Sequence, residues 1–225
     1  MQREIIQIDL PEPEDNFSET KISFVLSASG MATGEKSWSG NGSLEASKRG
    51  FFKRVRPEDY QRIFQRSFAS WSPNSVAFDP KVSGLNDLAK PFHYSSKFKV
   101  PNLAQKAGPL LILKLPEFVT SFSEVSRKDR TYPIDYRTTR LVKSEWRVSF
   151  PKSWKIRAKP SGFSIEHPAG MIRQVVEVRE NDLLIRRESR IDRPKVTVSD
   201  YSKHREALKR VESASQERVF FEVSP

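Results

Sequence analysis

The chain has 225 residues, a formal charge of +11 and no cysteine. This length allows one large domain or two smaller ones with cores of their own. The hydrophobic content of 36%, with 15 Phe and 4 Trp, is typical of a folded protein. The missing cysteine excludes disulfides, thiolate zinc sites and cysteine nucleophiles. Because no apolar run approaches the roughly 18 residues of a membrane helix and the amino terminus lacks an apolar segment of signal-peptide length, we expect neither a membrane span nor an export signal in this chain.

Residues 1–20 are predicted to form a linker, with one short strand at "EIIQIDL" and an acidic, proline-interrupted connector at "PEPEDN". After the connector, apolar residues recur at every second position, which predicts a strand with one face made of Ile22, Phe24, Leu26 and Ala28. Gly30 and Gly34 are predicted to bracket a turn, and "EKSWSGNGSLEA" is predicted to form the returning strand.

The segment "RPEDYQRIFQRSFASW" changes to the period of a helix. Pro57 suits the first helical position, and the carboxylates of Glu58 and Asp59 suit the positive end of the helix dipole. One face of this helix is predicted to be apolar and to consist of Tyr60, Ile63, Phe64, Phe68 and Trp71. Strand signals then resume at "NSVAFDP", "PFHYSSKFKVP" and "PLLILKLP".

The segment "EFVTSFSEVSRKDRT" is predicted to be a boundary or a crossing connection, and strand signals continue after it. In "KSEWRVSFP", Trp146, Val148 and Phe150 alternate with polar residues, so this segment is predicted to be a half-buried strand that Pro151 ends. Two further strands are predicted around the turn Glu180-Asn181-Asp182. A helix capped by Ser199 follows, with an inner face of Tyr201, His204, Leu208 and Val211, and "ERVFFEV" forms the last strand.

These elements predict a mainly β protein with two β-sandwich-like domains, at residues 21–118 and 119–225, each with one packed helix. An α+β fold is the alternative. The similar order of elements in the two halves does not amount to an internal repeat.

Candidate sites are few. The basic-aromatic run "KRGFFKRVRP" is predicted to be a loop whose Phe51 and Phe52 pack into the core, rather than a base-stacking surface. The glycines of "GEKSWSGNG" are predicted to belong to a hairpin, since the order of a phosphate-binding loop is missing. His93, His167 and His204 have no ligand spacing and are predicted to be structural. Asn16 and Asn41 meet the glycosylation pattern, which often arises by chance.

No nucleophile, base and oxyanion donor can be assembled from these residues. We therefore predict no catalytic, cofactor-binding or metal-binding residues and no cofactor, and the residues of any binding site cannot be specified.

The positive charge is concentrated in residues 120–225, which carry +8, against +3 for residues 1–119. Acidic residues interrupt the basic ones in "VREND" and "IRRESRIDR", which favours a solvated surface over a nucleic-acid groove. In the predicted strand "LLIRRESRI", one face is made of Leu183, Ile185, Arg187 and Ile191. The other face, with Leu184, Arg186, Glu188 and Arg190, is predicted to face solvent, with its bases paired to acids such as Glu177 and Glu188.

Roughly residues 4–222 resemble the carboxy-terminal region of bacterial transglutaminase-like proteins, which are exported multidomain proteins of largely unknown function. The resemblance lies in "LSASGMATGEKSWSGNGSLEASKR", "PEDYQRIFQRSF" and "GPLLILKLP" in the first half, and in "YPIDYRTTRLVKSEWRVSFPKSW" and "ENDLLIRRESRIDRPKVTVSDYSKHREALKRV" in the second. It implies that the chain is a non-catalytic accessory region. The papain-like Cys-His-Asp core of the family would lie upstream, and none of its catalytic residues maps onto this chain.

The resemblance implies a role in supporting an upstream transglutaminase-like domain of the same polypeptide, or in presenting substrate to it. It also implies a periplasmic or extracellular location and other envelope proteins as further partners. We expect no nucleic-acid partner. The alternative is a basic binding module for anionic partners such as nucleic acid or a cell-envelope polymer, and an independent hydrolase is a third class.

Overall fold

A computed structural model describes residues 9–223, in which strands and three α-helices form several sheets. The strands are Phe17–Leu26 (β1), Ala32–Gly40 (β2), Val76–Ser83 (β3), Phe92–Val100 (β4), Ala104–Ala107 (β5), Leu110–Leu113 (β6), Ile134–Asp135 (β7), Arg140–Ser149 (β8), Trp154–Ala158 (β9), Phe163–His167 (β10), Gly170–Arg179 (β11), Asp182–Ile191 (β12), Lys195–Val196 (β13) and Val219–Val223 (β14). The helices are Ser43–Lys53 (α1), Tyr60–Ala69 (α2) and Tyr201–Ala214 (α3). Strands account for 43% and helices for 20% of the chain, which confirms the mainly β fold.

The main sheet has eight strands in the order β10-β11-β12-β8-β1-β2-β4-β3. Its neighbouring strands are antiparallel except β1 and β8, which are parallel. A second sheet has the order β5-β6-β14-β9, and β7 pairs with β13. No helix among residues 9–223 is long and apolar enough to cross a bilayer.

One face of the main sheet is buried along its whole width, because apolar residues from neighbouring strands line up in register. Ile22, Trp146 and Ile185 lie side by side on β1, β8 and β12, and all three are buried. At the β2-β4-β3 end, this face is covered by α1 and α2 through Phe52, Phe64 and Phe68; in the middle it is covered by the four-stranded sheet through residues such as Leu113 and Phe221. At the β10-β11-β12 end, α3 covers it through Ala207, Leu208 and Val211. The opposite face is exposed and mostly polar, with single exposed valines such as Val25 and Val76, as is common for antiparallel sheets.

Gly34 makes close packing possible at the centre of this core. It lies within β2 between Phe24 of β1 and Phe98 of β4. A Cβ atom at this position would lie 2.6 Å from Cα and Cβ of Phe24 and 2.0 Å from the carbonyl oxygen of Ser23. The missing side chain therefore lets the rings of Phe24 and Phe98 meet with their centroids 6.2 Å apart.

The continuity of the sheet bears on the predicted domain boundary at residue 119. β1 pairs with β8 from Phe17 opposite Leu141 to Val25 opposite Ser149. The four-stranded sheet likewise combines β5 and β6 with β9 and β14. The regions 21–118 and 119–225 therefore share both sheets and the larger of two core clusters, whereas the smaller cluster lies within 119–225. Their division into two separate folding units stays a prediction.

Several local predictions need correction. Residues 43–53, predicted as the end of a strand and a loop, form helix α1, so the first half contains two helices rather than one. The turn after β1 is shorter than predicted: Gly30 lies in it at φ +79°, whereas Gly34 is part of β2. The helix α3 begins after Asp200 rather than after Ser199. The strand predicted at "EIIQIDL" falls mostly outside the described residues.

The remaining predicted elements are confirmed. Helix α2 buries Phe64 and Phe68, with Tyr60 and Trp71 packed against the same core. The hairpin around residues 180–182 joins β11 and β12 through Glu180 and Asn181. The segment 117–131 crosses the molecule with a single 3-10 turn, Ser123–Val125, as its regular structure. The final strand is β14.

Candidate functional site

An open apolar pocket lies at the β2-β4 end of the main sheet, between the sheet and helices α1 and α2. It encloses about 320 Å³, a volume at the lower end of the range for small-molecule sites. Its lining is mostly aromatic or aliphatic, with a few polar groups: Lys36, Ser47, Lys48, Phe51, Phe52, Ile63, Phe64, Ser67 and Tyr94.

Helix α1 is anchored beside the pocket by a buried ion pair. Arg49 donates from Nε and Nη2 to the carboxylate of Glu45, at 3.0 and 2.7 Å, and both side chains are almost fully buried. Arg49 also donates to the carbonyl oxygens of Gly84, Asp87 and Lys90, and Glu45 accepts from the backbone N–H of Phe92 at 2.9 Å. The pair is therefore fully hydrogen-bonded, which is the condition for a buried charge pair to be tolerated.

Helix α2 is fixed to the edge strand β3 by two glutamines. Gln65 accepts from the backbone N–H of Ala77 at 2.8 Å and donates to the carbonyl oxygen of Ser75, while Gln61 donates to the carbonyl oxygen of Ala77. These bonds occupy backbone groups on the outer edge of the sheet. They tie α2, which contributes Ile63, Phe64 and Ser67 to the pocket, to the edge of the sheet.

The wall of the pocket is an aromatic cluster centred on Phe52. Its ring lies 5.3 Å from Tyr94, 5.5 Å from Tyr60 and 6.2 Å from Phe64, measured between centroids. Phe51, by contrast, is 43% exposed at the rim. Only one of the two phenylalanines predicted to pack into the core therefore does so, because successive residues of a helix point in directions about 100° apart.

Lys48 brings a positive charge into this apolar surrounding. Its Nζ lies 5.0 Å from the ring of Trp38 and 3.5 Å from the hydroxyl oxygen of Tyr94. No carboxylate lies within ion-pair distance of it among residues 9–223, whereas Lys36 pairs with Glu117 at 2.5 Å. Burial, together with the charge of Lys36, lowers the pKa of Lys48. The pocket therefore holds one ammonium that lies against aromatic faces and donates to the Tyr94 hydroxyl, without a carboxylate at ion-pair distance among the described residues.

Tyr94 supplies a second polar group at the same place. Burial, and then the negative charge of Glu117, raises the pKa of its hydroxyl, which stays protonated at neutral pH. The hydroxyl oxygen accepts from Lys48, and its hydrogen has no acceptor among the described residues. Lys48 and Tyr94 thus offer two adjacent donors to whatever occupies the pocket.

The structure also brings together two of the three histidines that were predicted to be structural. His167 at the end of β10 and His204 on α3 meet edge to face, with centroids 5.0 Å apart. Nε2 of His204 lies 2.8 Å from the hydroxyl of Tyr136, which donates to Glu124 at 3.1 Å. Within residues 9–223 neither Nδ1 atom has a hydrogen-bond partner. His93 lies apart, half-buried on β4.

The electrostatics of the pair favour neutral rings. Burial, and then the charge of His204, lowers the pKa of His167 to about 4, and burial also lowers the pKa of His204. No group of three or more His, Asp or Glu side chains in the part of the chain that the structure describes could hold a metal ion.

Other motifs singled out in the sequence have structural positions. The glycines of "GEKSWSGNG" lie within β2 and at the start of α1 rather than around one hairpin turn. Asn16 is 2% exposed; it donates to the carbonyl oxygen of Thr139 and accepts from Ser43 and Leu44, so folded protein does not offer it for glycosylation.

The pocket residues Lys36, Lys48 and Tyr94 were missed by sequence reasoning. They lie on three elements, β2, α1 and β4. The sequence feature that could have revealed helix α1 is the i, i+4 pair of Glu45 and Arg49, which is typical of a helix. A helix at this position would have placed Lys48 on the face next to that pair.

Comparison with known proteins gives two matches. Residues 110–221, just under half of the chain, match the family model described as a Domain of Unknown Function with solved structure (DUF3858). The matched region begins in β6 and ends in β14, two strands that pair with each other.

Among solved structures, the chain is similar to one from Parabacteroides distasonis named a "putative protease", with 15% identity and a TM-score of 0.44. The alignment covers 53% of this chain and 24% of that chain, so this chain spans about a quarter of that protein's length. No curated protein matches the chain.

Proposed function

We propose that this chain is a non-catalytic accessory region that holds a substrate or partner segment for a transglutaminase-like domain upstream in the same polypeptide, outside the cytoplasm. The observation that carries the proposal is the pocket between α1, α2 and β4. It combines an exposed apolar rim at Phe51, a buried aromatic wall at Phe52 and Phe64, and an ammonium without a carboxylate partner among residues 9–223. Such a pocket suits binding, since apolar walls supply affinity and a few polar groups supply orientation.

The histidines support the same proposal. A general base has to reach its substrate, but His204 is fully buried, and His167 is almost so. Their rings pack against each other between β10 and α3, which is a structural role.

The first test is the coding sequence upstream of Met1, which should contain a Cys…His…Asp core. The full polypeptide is then compared with a version that lacks this region, using a protein substrate and a small amide substrate. We expect deletion to raise KM for the protein substrate and to leave turnover of the small amide unchanged, because binding away from the reacting group affects the larger substrate alone. Equal effects on both substrates would contradict a presenting role.

The isolated chain provides the complementary test. With no thiol, it should catalyse neither amide hydrolysis nor glutamine–lysine cross-linking. Turnover by the purified chain that disappears on substitution of His93, His167 or His204 would overturn the non-catalytic assignment.

A further inference from the structure

We propose that the pocket between α1, α2 and β4 binds ligands that consist of an apolar body and one carboxylate, with the carboxylate on Lys48 and Tyr94 and the apolar body against Phe51, Phe52 and Phe64. This inference deepens the proposed function by naming the chemical group that the pocket takes.

The net charge of the pocket specifies a monoanion. Two lysines line it, but Lys36 is neutralised by Glu117, whose carboxylate lies 2.5 Å from its Nζ. Lys48 is left as the single uncompensated charge among the described residues of the pocket. A ligand with one negative charge would match it, whereas a phosphate with close to two charges would leave one uncompensated in an apolar surrounding.

The two donors specify the geometry of the anion. Nζ of Lys48 and the hydroxyl oxygen of Tyr94 lie 3.5 Å apart, and both have hydrogens to donate. A carboxylate presents two acceptor oxygens on one carbon, so it can accept from both groups at once. Ligand binding would replace the water that the half-buried ammonium of Lys48 has lost, and it would therefore also offset the desolvation that lowers the pKa of Lys48.

The walls specify the rest of the ligand. Phe51, Phe52, Ile63 and Phe64 line the same pocket as the two donors, and the rings of Phe52 and Phe64 pack against each other with their centroids 6.2 Å apart. A volume of about 320 Å³ accommodates one aromatic ring or a short alkyl chain rather than a whole peptide. The ligand is therefore either a small free acid or the terminal residue of a polypeptide, with its main-chain carboxylate.

The experiment titrates the isolated chain with 3-phenylpropionate and with its uncharged analogue 3-phenylpropanamide, and follows backbone amide shifts by NMR. We expect the acid to bind about tenfold or more tightly than the amide, with the largest shifts in α1, α2 and β4, because charge-assisted hydrogen bonds are lost in the amide. A short peptide ending in phenylalanine, with a free or an amidated carboxy terminus, distinguishes the two sources of the ligand.

Variants assign the interaction. Lys48→Gln should abolish the preference for the acid and Tyr94→Phe should reduce it, whereas Phe51→Ala, at an exposed position, should weaken acid and amide alike. Lys53→Gln, on the same helix but outside the pocket, is the matched control and should bind like the parent protein. Equal binding of acid and amide, unchanged acid binding by Lys48→Gln, or no binding of either probe at millimolar concentration would overturn the inference.

These outcomes are separable from the proposed function. Acid-selective binding without any change in the turnover of protein substrate by the full polypeptide would leave the inference standing and contradict the accessory role. A change in the turnover of protein substrate without acid-selective binding would support the accessory role and contradict the inference about the carboxylate.

Discussion

His167 and His204 show how a residue acquires its properties from its neighbours. Each is an isolated histidine in the sequence, yet the fold places one ring against the other and closes both off from solvent. Tyr136 and Glu124 approach His204 from one side, and Asp192 lies close enough to His167 to raise its pKa slightly against the effect of burial. Two rings that stay neutral can pack in this way, whereas two charged ones would repel each other.

The pair makes stability depend on pH. Because the pKa of His167 is about 4 in the folded protein and about 6.5 in the unfolded chain, the unfolded chain takes up a proton first as the pH falls. His167 alone should therefore lower the free energy of unfolding by about 2 kcal/mol between pH 7 and pH 5, and full stability is present only above about pH 6.5. Urea unfolding of the parent and of His167→Gln at both pH values measures this, and the variant should lose less stability. Parallel losses in the two proteins would contradict the neutral pair.

Arg187 is a buried cation with neutral partners. It donates to Oε1 of Gln174 at 3.0 and 2.7 Å, to the carbonyl oxygen of Phe118 at 2.9 Å and to the hydroxyl of Thr120 at 2.7 Å. Its guanidinium also lies over the ring of Phe118, 4.4 Å from the centroid. Burial lowers its pKa to about 10, which leaves it charged at neutral pH. The side chain thereby fastens the crossing segment 117–131 to β12.

We expect Arg187→Ala to lower the free energy of unfolding by about 3 kcal/mol, because it leaves buried acceptors without donors and removes packed methylene groups. The control is Arg186→Ala, one position away on the exposed face, where the ion pairs with Glu145 and Glu177 are worth about 1 kcal/mol or less. Denaturant unfolding of both variants gives the comparison. Similar losses at the two positions would mean that the bonds of Arg187 do not hold the crossing segment.

At the scale of elements, α2 follows directly from its own sequence. Its apolar residues recur at helical spacing, and the two that face the sheet most directly, Phe64 and Phe68, are buried. The ring of Phe68 packs against Trp71 and Phe98 at 4.9 and 5.1 Å.

Phe68→Ala should cost about 3–5 kcal/mol of unfolding free energy, since it opens a cavity among residues that cannot collapse into it. The control is Phe51→Ala at the exposed rim of the pocket, with an expected loss below about 1 kcal/mol. Thermal or denaturant unfolding of the two variants decides between them. A loss below about 1 kcal/mol for Phe68→Ala would show that α2 is not held by this face.

The two faces of β12 divide as the alternation predicts. Leu183, Ile185, Arg187 and Ile191 are buried. On the other face, Arg186 pairs with Glu145 and Glu177, and Arg190 pairs with Asp192 and Glu14. The predicted partner Glu177 is confirmed, whereas Glu188, the other predicted partner, makes no ion pair among residues 9–223.

These pairs lead to a prediction about nucleic acid. Because the solvent-facing bases of β12, Arg186 and Arg190, already have acidic partners, binding to DNA or RNA should be no tighter than about 10⁻⁶ M at physiological salt. Titration of labelled single- and double-stranded oligonucleotides at two salt concentrations measures this. Submicromolar affinity, with a log–log salt slope of about −0.9 per phosphate contacted and a loss on Arg186→Glu and Arg190→Glu, would instead favour the basic binding module.

At the scale of the whole molecule, the family match and the predicted second domain begin at different residues. The matched region starts at residue 110, where β6 pairs with β14, rather than at residue 119. Residues between the two positions also pack in the core: Leu115 and Phe118 are buried, and the carbonyl oxygen of Pro116 accepts from the indole of Trp146 at 2.8 Å.

Fragments test the boundary. We expect a fragment of residues 110–225 to unfold at a higher temperature than one of residues 119–225, because the shorter fragment leaves β14 without its partner β6 and exposes apolar surface of the core. Both should be less stable than the whole chain, since β8 loses its parallel partner β1. Circular dichroism during heating gives the three midpoints. Equal midpoints for the two fragments would support the boundary at residue 119.

Elements with an apolar period that repeats within a short segment could be predicted from the amino-acid sequence. Strands β1, β4, β8, β11 and β12 and helices α2 and α3 could be predicted because alternation or helical spacing within some ten residues fixes which side is apolar. The solvent-facing side of β12 follows from the same rule. Helix α1 could not be predicted by this rule, because its sequence has few apolar residues. The helix is anchored by the buried ion pair of Glu45 and Arg49.

Which elements contact each other could be learned only from the folded structure. The parallel pairing of β1 with β8 joins residues more than 120 positions apart, and the contact of His167 with His204 joins residues on a strand and a helix. The pocket around Lys48 needs three elements to be in place. Local periodicity predicts that a residue is buried, but the identity of its neighbours depends on how sheets and helices pack. Those neighbours set the burial and the nearby charges that shift the pKa values of Lys48, Tyr94 and His167.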